Sequence, residues 1–219
     1  MEKWSEVWIA EVWIVLAAPG DERVCAGLSG GVCARRFDME EYVVLVDEND
    51  NPVGVAEKLA AHRSGSLHRA ISVFVFDSRG RLLLQRRAAA KYHSGGLWSN
   101  TCCSHPRPSE GVVAAARRRL REEMGFECEL AKEFGFVYRV AFPNDLVEHE
   151  YDHVLFGRYD GDPVPCPDEA DDWKWVEVAE LAADVKANPG RYTFWFAACL
   201  DRVVACFAAQ SRTAELVCA

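Results

Sequence analysis

Residues 110–124 carry apolar side chains at helical spacing, Val113, Ala116, Leu120 and Met124, and the run stops at Gly125, a natural helix C-terminus. One well-marked helix set between two groups of strand-like runs restricts the fold more than any other feature. On its N-terminal side, residues 41–47 and 53–56 flank Asn49-Asp50-Asn51-Pro52, and residues 70–76 and 81–86 flank Asp77-Ser78-Arg79-Gly80. Both are hairpin patterns. On its C-terminal side, strands are expected near 127–141, 148–159 and 173–177. Helices follow over about 178–186 and 190–209, separated by Asn188-Pro189-Gly190. This order gives a mixed β-sheet flanked by helices, an α+β fold of the α/β/α sandwich kind.

Of 219 residues, half are apolar and 27% are charged, so the chain can bury a substantial core and is neither disordered nor fibrous. A single catalytic domain is expected over 39–210, with an N-terminal extension over 1–38 and a C-terminal tail over 211–219. The extension has its own character: Trp4, Trp8, Val12 and Val15 lie at helical spacing, and a stretch rich in Gly, Cys and Arg leads to Arg36. Two readings of it stand. Either Met39 is the true start and the leader is a start-site artefact or a loosely held helix, or the leader is an amphipathic helix for a membrane surface or a partner. Residues 7–18 form the nearest approach to a membrane span, but Glu11 interrupts them and they fall short of the roughly 18 to 20 residues required. Their acidic approach does not suit a secretory signal.

Lys and Arg number 25 against 34 Asp and Glu, a net charge of −9 that disfavours nucleic acid as a partner and leaves room for a local basic patch. Nine cysteines, an odd number without CxxC spacing, point to a reducing cytoplasm. A monomer or weak dimer is expected.

Several short stretches could carry chemistry. In the strand-like run around residues 147–156, side chains alternate, so Glu148 and Glu150 share one face with Asp152 near, and His149 and His153 share the other. Two carboxylates about 7 Å apart along a strand can converge on one metal; the bland alternative is a solvated strand face. If residues 98–106 are extended, Cys103 and His105 enter a common site while Cys102 points away, although neighbouring cysteines often only pack as small hydrophobes. His62 and His68 lie on either side of Arg63-Ser64-Gly65-Ser66. With His105, Glu148 and Glu150 they make a plausible set of three nitrogens and two carboxylates for a divalent transition metal. Lys58, Arg87 and Lys91 supply cations suited to phosphate oxygens.

The helix itself has the most specific spacing. Ser104, Glu110, Arg118, Arg119, Leu120, Glu122, Glu123, Gly125 and Phe126 fit the Nudix box, G-x5-E-x7-R-E-U-x-E-E-x-G-U, with Ser for the first Gly and Arg119 for the acid of the R-E pair. Positions 119 and 123 share a helix face, so Arg119 removes one Mg2+ ligand from it. Hydrolysis by the usual metal cluster is thereby disfavoured, while diphosphate binding remains feasible.

Together with Glu57-Lys58-Leu59-Ala60-Ala61-His62, Gln85-Arg86-Arg87, the 97–106 stretch, Glu148-His149-Glu150 and Trp195, this box resembles the type 1 isopentenyl-diphosphate Δ-isomerases of the Nudix superfamily. The resemblance spans roughly residues 40–205, and Arg119 is what that branch carries. It implies a Nudix-like fold and interconversion of isopentenyl and dimethylallyl diphosphate in isoprenoid biosynthesis. Cys103 and Glu150 would be the acid/base pair, with Tyr138 bonded near Glu150 and Trp195 facing the hydrocarbon. His62, His68, His105, Glu148 and Glu150 would bind Mn2+ or Zn2+. Glu123 would hold Mg2+ on the diphosphate, and Lys58, Arg87 and Lys91 would grip its oxygens. The interval from His62 to His68 is one residue shorter than the family pattern. The chemistry asks for such groups independently, because moving a terminal C=C inward adds one proton and removes another. The tertiary carbocation between is stabilised by an aromatic face, by about 2 kcal/mol or more when desolvated. Which group donates stays open. Alternatives are a Nudix hydrolase acting on a nucleotide or other organic diphosphate, and a non-catalytic diphosphate-binding module.

Overall fold

Asp47 organises the first turn: its carboxylate accepts the amides of Asn49 and Asn51, each at 2.9 Å, and Asp50 takes a left-handed φ of 66°. Strands β1 (Tyr42–Val46) and β2 (Pro52–Glu57) therefore form an antiparallel hairpin. The structure, a computed structural model, describes residues 41–217, with side chains through 210. The extension over 1–38, and the readings attached to it, lie outside the described residues, as do Cys25, Cys33 and Cys218.

A short helix that sequence patterning did not mark follows, α1 (Lys58–Ser64). Glu57 caps it, its two carboxylate oxygens accepting the amides of Leu59 and Ala60 at 2.7 Å, and Gly65 ends it at φ 65°. The central strand β3 (His68–Phe76) then runs through the sheet. The expected hairpin from β3 to β4 (Leu82–Arg87) pairs only at Phe76 and Leu82. Beyond that corner the strands separate, because β5 (Trp98–Ser99) takes the edge of β4 while β6 (Cys102–Ser104) takes the edge of β3.

Helix α2 (Val112–Met124) is the helix of the box. It begins two residues later than its pattern suggests, because Gly111 is the N-cap and Glu110 is drawn outward by Arg118, which donates to both of its oxygens at 2.7 and 2.8 Å. Strands β7 (Leu130–Ala141) and β8 (Val147–Arg158) form a long antiparallel pair, and β8 lies parallel to β3 along its whole length. Strand β9 (Ala170–Val176) pairs with β4. Helix α3 (Val178–Ala187) leads through a 3-10 turn at Pro189–Arg191 into α4 (Phe194–Val217). The tail expected from 211 is thus helical as far as Val217. The start of α4 is set by Thr193, whose amide donates to Trp98 O at 2.9 Å.

Alternation along β3 divides the core into two layers. Ile71, Val73 and Val75 pack with Ala116, Leu120 and Met124 of α2. Phe74 and Phe76, on the opposite face, pack with Phe156, Phe196 and Val203, the last two from α4. Mixed sheet, helices on both faces: the α+β sandwich expectation holds. Among the described residues, no helix is long and apolar enough to cross a membrane.

Candidate active site

The register of β3 assembles the site. Parallel pairing sets His68 opposite Glu150 on β8, and antiparallel pairing sets Ser72 opposite Cys103 on β6. Cys103 and Glu150 thus reach one cleft from strands on opposite flanks of β3. The wall of the cleft includes Cys103, His105, Tyr138, Glu148, Glu150 and Trp195. Cys102 is fully buried in the other layer, as alternation requires.

At the floor, single ligand atoms of His62, His68, His105 and Glu150 all lie within 4.8 Å of one another. His62 Nε2 is 3.2 Å from His68 Nε2, and His105 Nε2 is 2.9 Å from Glu150 Oε1. Two of the outer nitrogens are engaged elsewhere: His68 Nδ1 lies 2.8 Å from Ser66 O, and His62 Nδ1 lies 3.2 Å from the Tyr92 hydroxyl. That arrangement turns the Nε2 lone pairs inward, toward one another. Burial, with His105 and His68 alongside, lowers His62 to about 3, and burial lowers His105 to about 4. Three imidazoles and a carboxylate gathered this closely are a ligand set for a divalent metal ion. The shortened His62 to His68 interval is accommodated, because α1 ends at Gly65 and the chain turns straight into β3.

Glu148 stands one step outside that set. Its Oε1 is 3.1 Å from His93 Nε2, and its Oε2 is 3.1 Å from the Tyr138 hydroxyl oxygen. The same hydroxyl donates to Glu150 Oε2 at 2.6 Å. Both glutamates are 5% exposed, which removes the alternative of a solvated strand face. Burial and the neighbouring Glu150 push Glu148 up; burial opposes ionisation of Glu150 too, but the imidazoles of His105 and His68 hold it well below the usual carboxylate range.

Burial pushes the Cys103 thiol up to about 12, against the pull of Arg87, whose Nη1 lies 3.5 Å from Sγ. That guanidinium also sits 5.1 Å from the Trp195 ring centroid, a cation over an aromatic face. Trp195 is anchored from behind, its Nε1 donating to Asn100 Oδ1 at 3.2 Å.

At the other end of the cleft, Arg119 is surrounded by carboxylates. It donates to Glu122 at 2.5 Å, to Glu123 at 2.7 Å and to Glu169 at 3.0 Å. Burial opposes its charge, and Glu123 and Glu169 more than restore it. Gln85 Nε2 donates to the second oxygen of Glu123 at 3.2 Å. Lys91 pairs with Glu169, and Lys58 with Glu41 at 2.9 Å. The three expected cations are therefore distributed, with Arg87 beside the thiol, Lys91 at the box and Lys58 at the start of α1.

Several cleft residues escaped the sequence reading, Tyr92, His93 and Glu169 among them. Tyr92 and His93 follow Lys91 directly, but a lone Tyr or His carries no spacing signal. Glu169 stands in the acidic run Asp168-Glu169-Ala170-Asp171-Asp172, which reads as a solvated surface.

The NUDIX domain family matches residues 66–196, and fold and box together define a Nudix-domain protein. Over 168 residues, 77% of this chain and 89% of the relative, the chain is 68% identical to Isopentenyl-diphosphate Delta-isomerase 2 of Aromatoleum aromaticum. It is 55% identical over 158 residues, 72% of this chain and 89% of the relative, to Isopentenyl-diphosphate Delta-isomerase 2 of Photorhabdus laumondii. Relatives so close across most of their length settle the family: the chain belongs to the isopentenyl-diphosphate Delta-isomerases of the Nudix superfamily. The crystal structure of DR0079 from Deinococcus radiodurans, 23% identical, shares the fold with a TM-score of 0.63 over 74% of this chain and 98% of that one.

Proposed function

We propose that this protein interconverts isopentenyl diphosphate and dimethylallyl diphosphate, an intramolecular isomerisation in isoprenoid biosynthesis. One observation carries the reading: a thiol, a carboxylate and an indole meet in one cleft above a cluster of three imidazoles. A Nudix hydrolase needs neither the thiol nor that cluster.

The steps follow from the residues. The diphosphate binds toward the box, its oxygens gripped by Lys91 there, by Arg87 beside the thiol and by Lys58 at the start of α1, and Glu123 of the box is the carboxylate suited to Mg2+. The hydrocarbon extends between Cys103 and Glu150, which reach it from the two flanks of β3. One of the two delivers a proton to the terminal alkene carbon and the other removes one from the carbon across the new cation. Only one proton is needed between them, in keeping with a thiol held protonated and a carboxylate held ionised. Trp195 lends its ring to the tertiary cation, and the apolar wall of α4 keeps out water that would capture it as an alcohol. Tyr138 holds Glu150 at its second oxygen. His62, His68, His105 and Glu150, with Glu148 beside them, would hold Mn2+ or Zn2+, which when bound orients Glu150 and tunes its proton affinity. We further assign the protein to the cytoplasm, as a monomer or weak dimer, on its odd number of cysteines without CxxC spacing.

The test is direct. Incubated with isopentenyl diphosphate and Mg2+, the protein is expected to yield dimethylallyl diphosphate with no phosphate released. Phosphate release without dimethylallyl diphosphate would establish the hydrolase instead.

A further inference from the structure

Of the side chains around the cleft, His93 takes no part in the steps above, yet it is 8% exposed and fixed at every point. Its ring stacks on Phe142, with centroids 4.6 Å apart and planes 21° apart, and stands edge-on to Trp195 at 6.1 Å. Nδ1 lies 3.3 Å from Ser94 Oγ, and Nε2 lies 3.1 Å from Glu148 Oε1. Its own carbonyl accepts from Arg87, and the carbonyl before it accepts from Asn144 Nδ2 at 2.9 Å.

The consequence lies in Glu148, whose two oxygens have different neighbours. Oε1 meets His93, whereas Oε2 meets the Tyr138 hydroxyl that also holds Glu150. Pinning Oε1 therefore leaves Oε2 as the oxygen that shares the Tyr138 hydroxyl with Glu150, itself a member of the histidine cluster. A ligating carboxylate only accepts hydrogen bonds, so the proton of this contact belongs on Nε2, with the Ser94 hydroxyl donating to Nδ1. Partners of this outer kind orient metal ligands, and losing one weakens metal binding by roughly 10- to 100-fold.

We propose that His93 is a positioning residue: its Nε2–H fixes Oε1 of Glu148 so that Oε2 is presented to the metal, while its ring seats between Phe142 and Trp195. This rests on the isomerase reading above, with a metal at His62, His68, His105 and Glu150 and Glu148 joining it.

Calorimetric titration with Mn2+, run beside kcat and KM for isopentenyl diphosphate, separates the possibilities on wild type, H93F and H93Q of the full chain. Phe keeps the ring and its stack but removes the donor, whereas Gln restores an N–H toward Oε1. H93F is expected to bind Mn2+ roughly 10- to 100-fold more weakly and to lose kcat while KM stays within about twofold. H93Q is expected to recover most of both. If H93F does not fold, H93N, whose shorter amide falls short of Oε1, carries the same contrast with H93Q. Wild-type Mn2+ affinity in H93F, or equal losses in H93F and H93Q, overturns the assignment. Wild-type protein that takes up no Mn2+ overturns the metal reading beneath it, a failure seen before any variant is made.

Discussion

The two ends of the cleft handle charge in opposite ways. At the β3 end, His62, His68, His105 and Glu150 aim ligand atoms at one another with no protein cation among them. At the α2 end, the carboxylates of Glu122, Glu123 and Glu169 already surround a cation of the chain's own, Arg119. The first arrangement has the chemistry of a metal-ligand set; the second already contains its own cation. A box that is internally neutralised has little to hold Mg2+ tightly on its own, which fits a role in which the diphosphate supplies much of the negative charge. The contrast also explains how a Nudix fold supports isomerisation: hydrolytic metal chemistry is muted at the helix, and a separate centre is built around a thiol on the sheet.

The strongest way to break this contrast is at the thiol. Cys103→Ala is expected to lower turnover by roughly 10²- to 10⁴-fold or more, the scale of a lost general acid/base, with the circular dichroism spectrum unchanged. Retained turnover would remove Cys103 from the acid/base pair and leave the sheet centre without its distinguishing group.

At the other end, Arg119→Glu leaves four carboxylates in place of three around a cation. Without metal the variant is expected to lose about 3 to 5 kcal/mol of stability, the scale for breaking a buried ion pair. Added Mg2+ should restore part of this in urea unfolding, while wild type stays indifferent to Mg2+ alone. A variant as stable as wild type in EDTA would show that the internal cation does not neutralise the box.

Acid sharpens the comparison further, because it acts on the imidazoles. In metal-free protein His62 titrates near 3 and His105 near 4, against 6.5 for an ordinary imidazole. Between those values the unfolded chain binds protons that the folded one refuses. These two imidazoles therefore contribute stability that is full above about pH 6.5 and fades as pH drops, by about 1.4 kcal/mol per unit for each at most. Imidazole resonances of His62 and His105 that titrate near 6.5 in NMR of the metal-free protein would contradict this burial.

Much of the architecture was legible because it rests on local periodicity. The β1–β2 turn, α2 with its stop at Gly125, and the long β7–β8 pair all occur within a few residues of their expected positions. Helix α1 was not, since its seven residues are too few to display a helical stripe and its cap is a Glu side chain folding back. The β3–β4 hairpin was only half right, because a turn signal says nothing about a third segment that takes the partner's edge.

The site divides along the same line. Sequence alone determined which side chains share a face, Cys103 with His105, Glu148 with Glu150, and Arg119 with Glu123, because those relations depend on a strand period of two or a helical step of four. It also determined that an Arg replaces an acid of the box. Only the tertiary structure decided that β8 lies parallel to β3 with His68 opposite Glu150, that His93 takes one oxygen of Glu148, and that Glu169 joins Lys91 to Arg119. Those contacts join residues distant along the chain. Their register follows from how two core layers pack on one sheet, a property of the whole fold that no window of sequence contains.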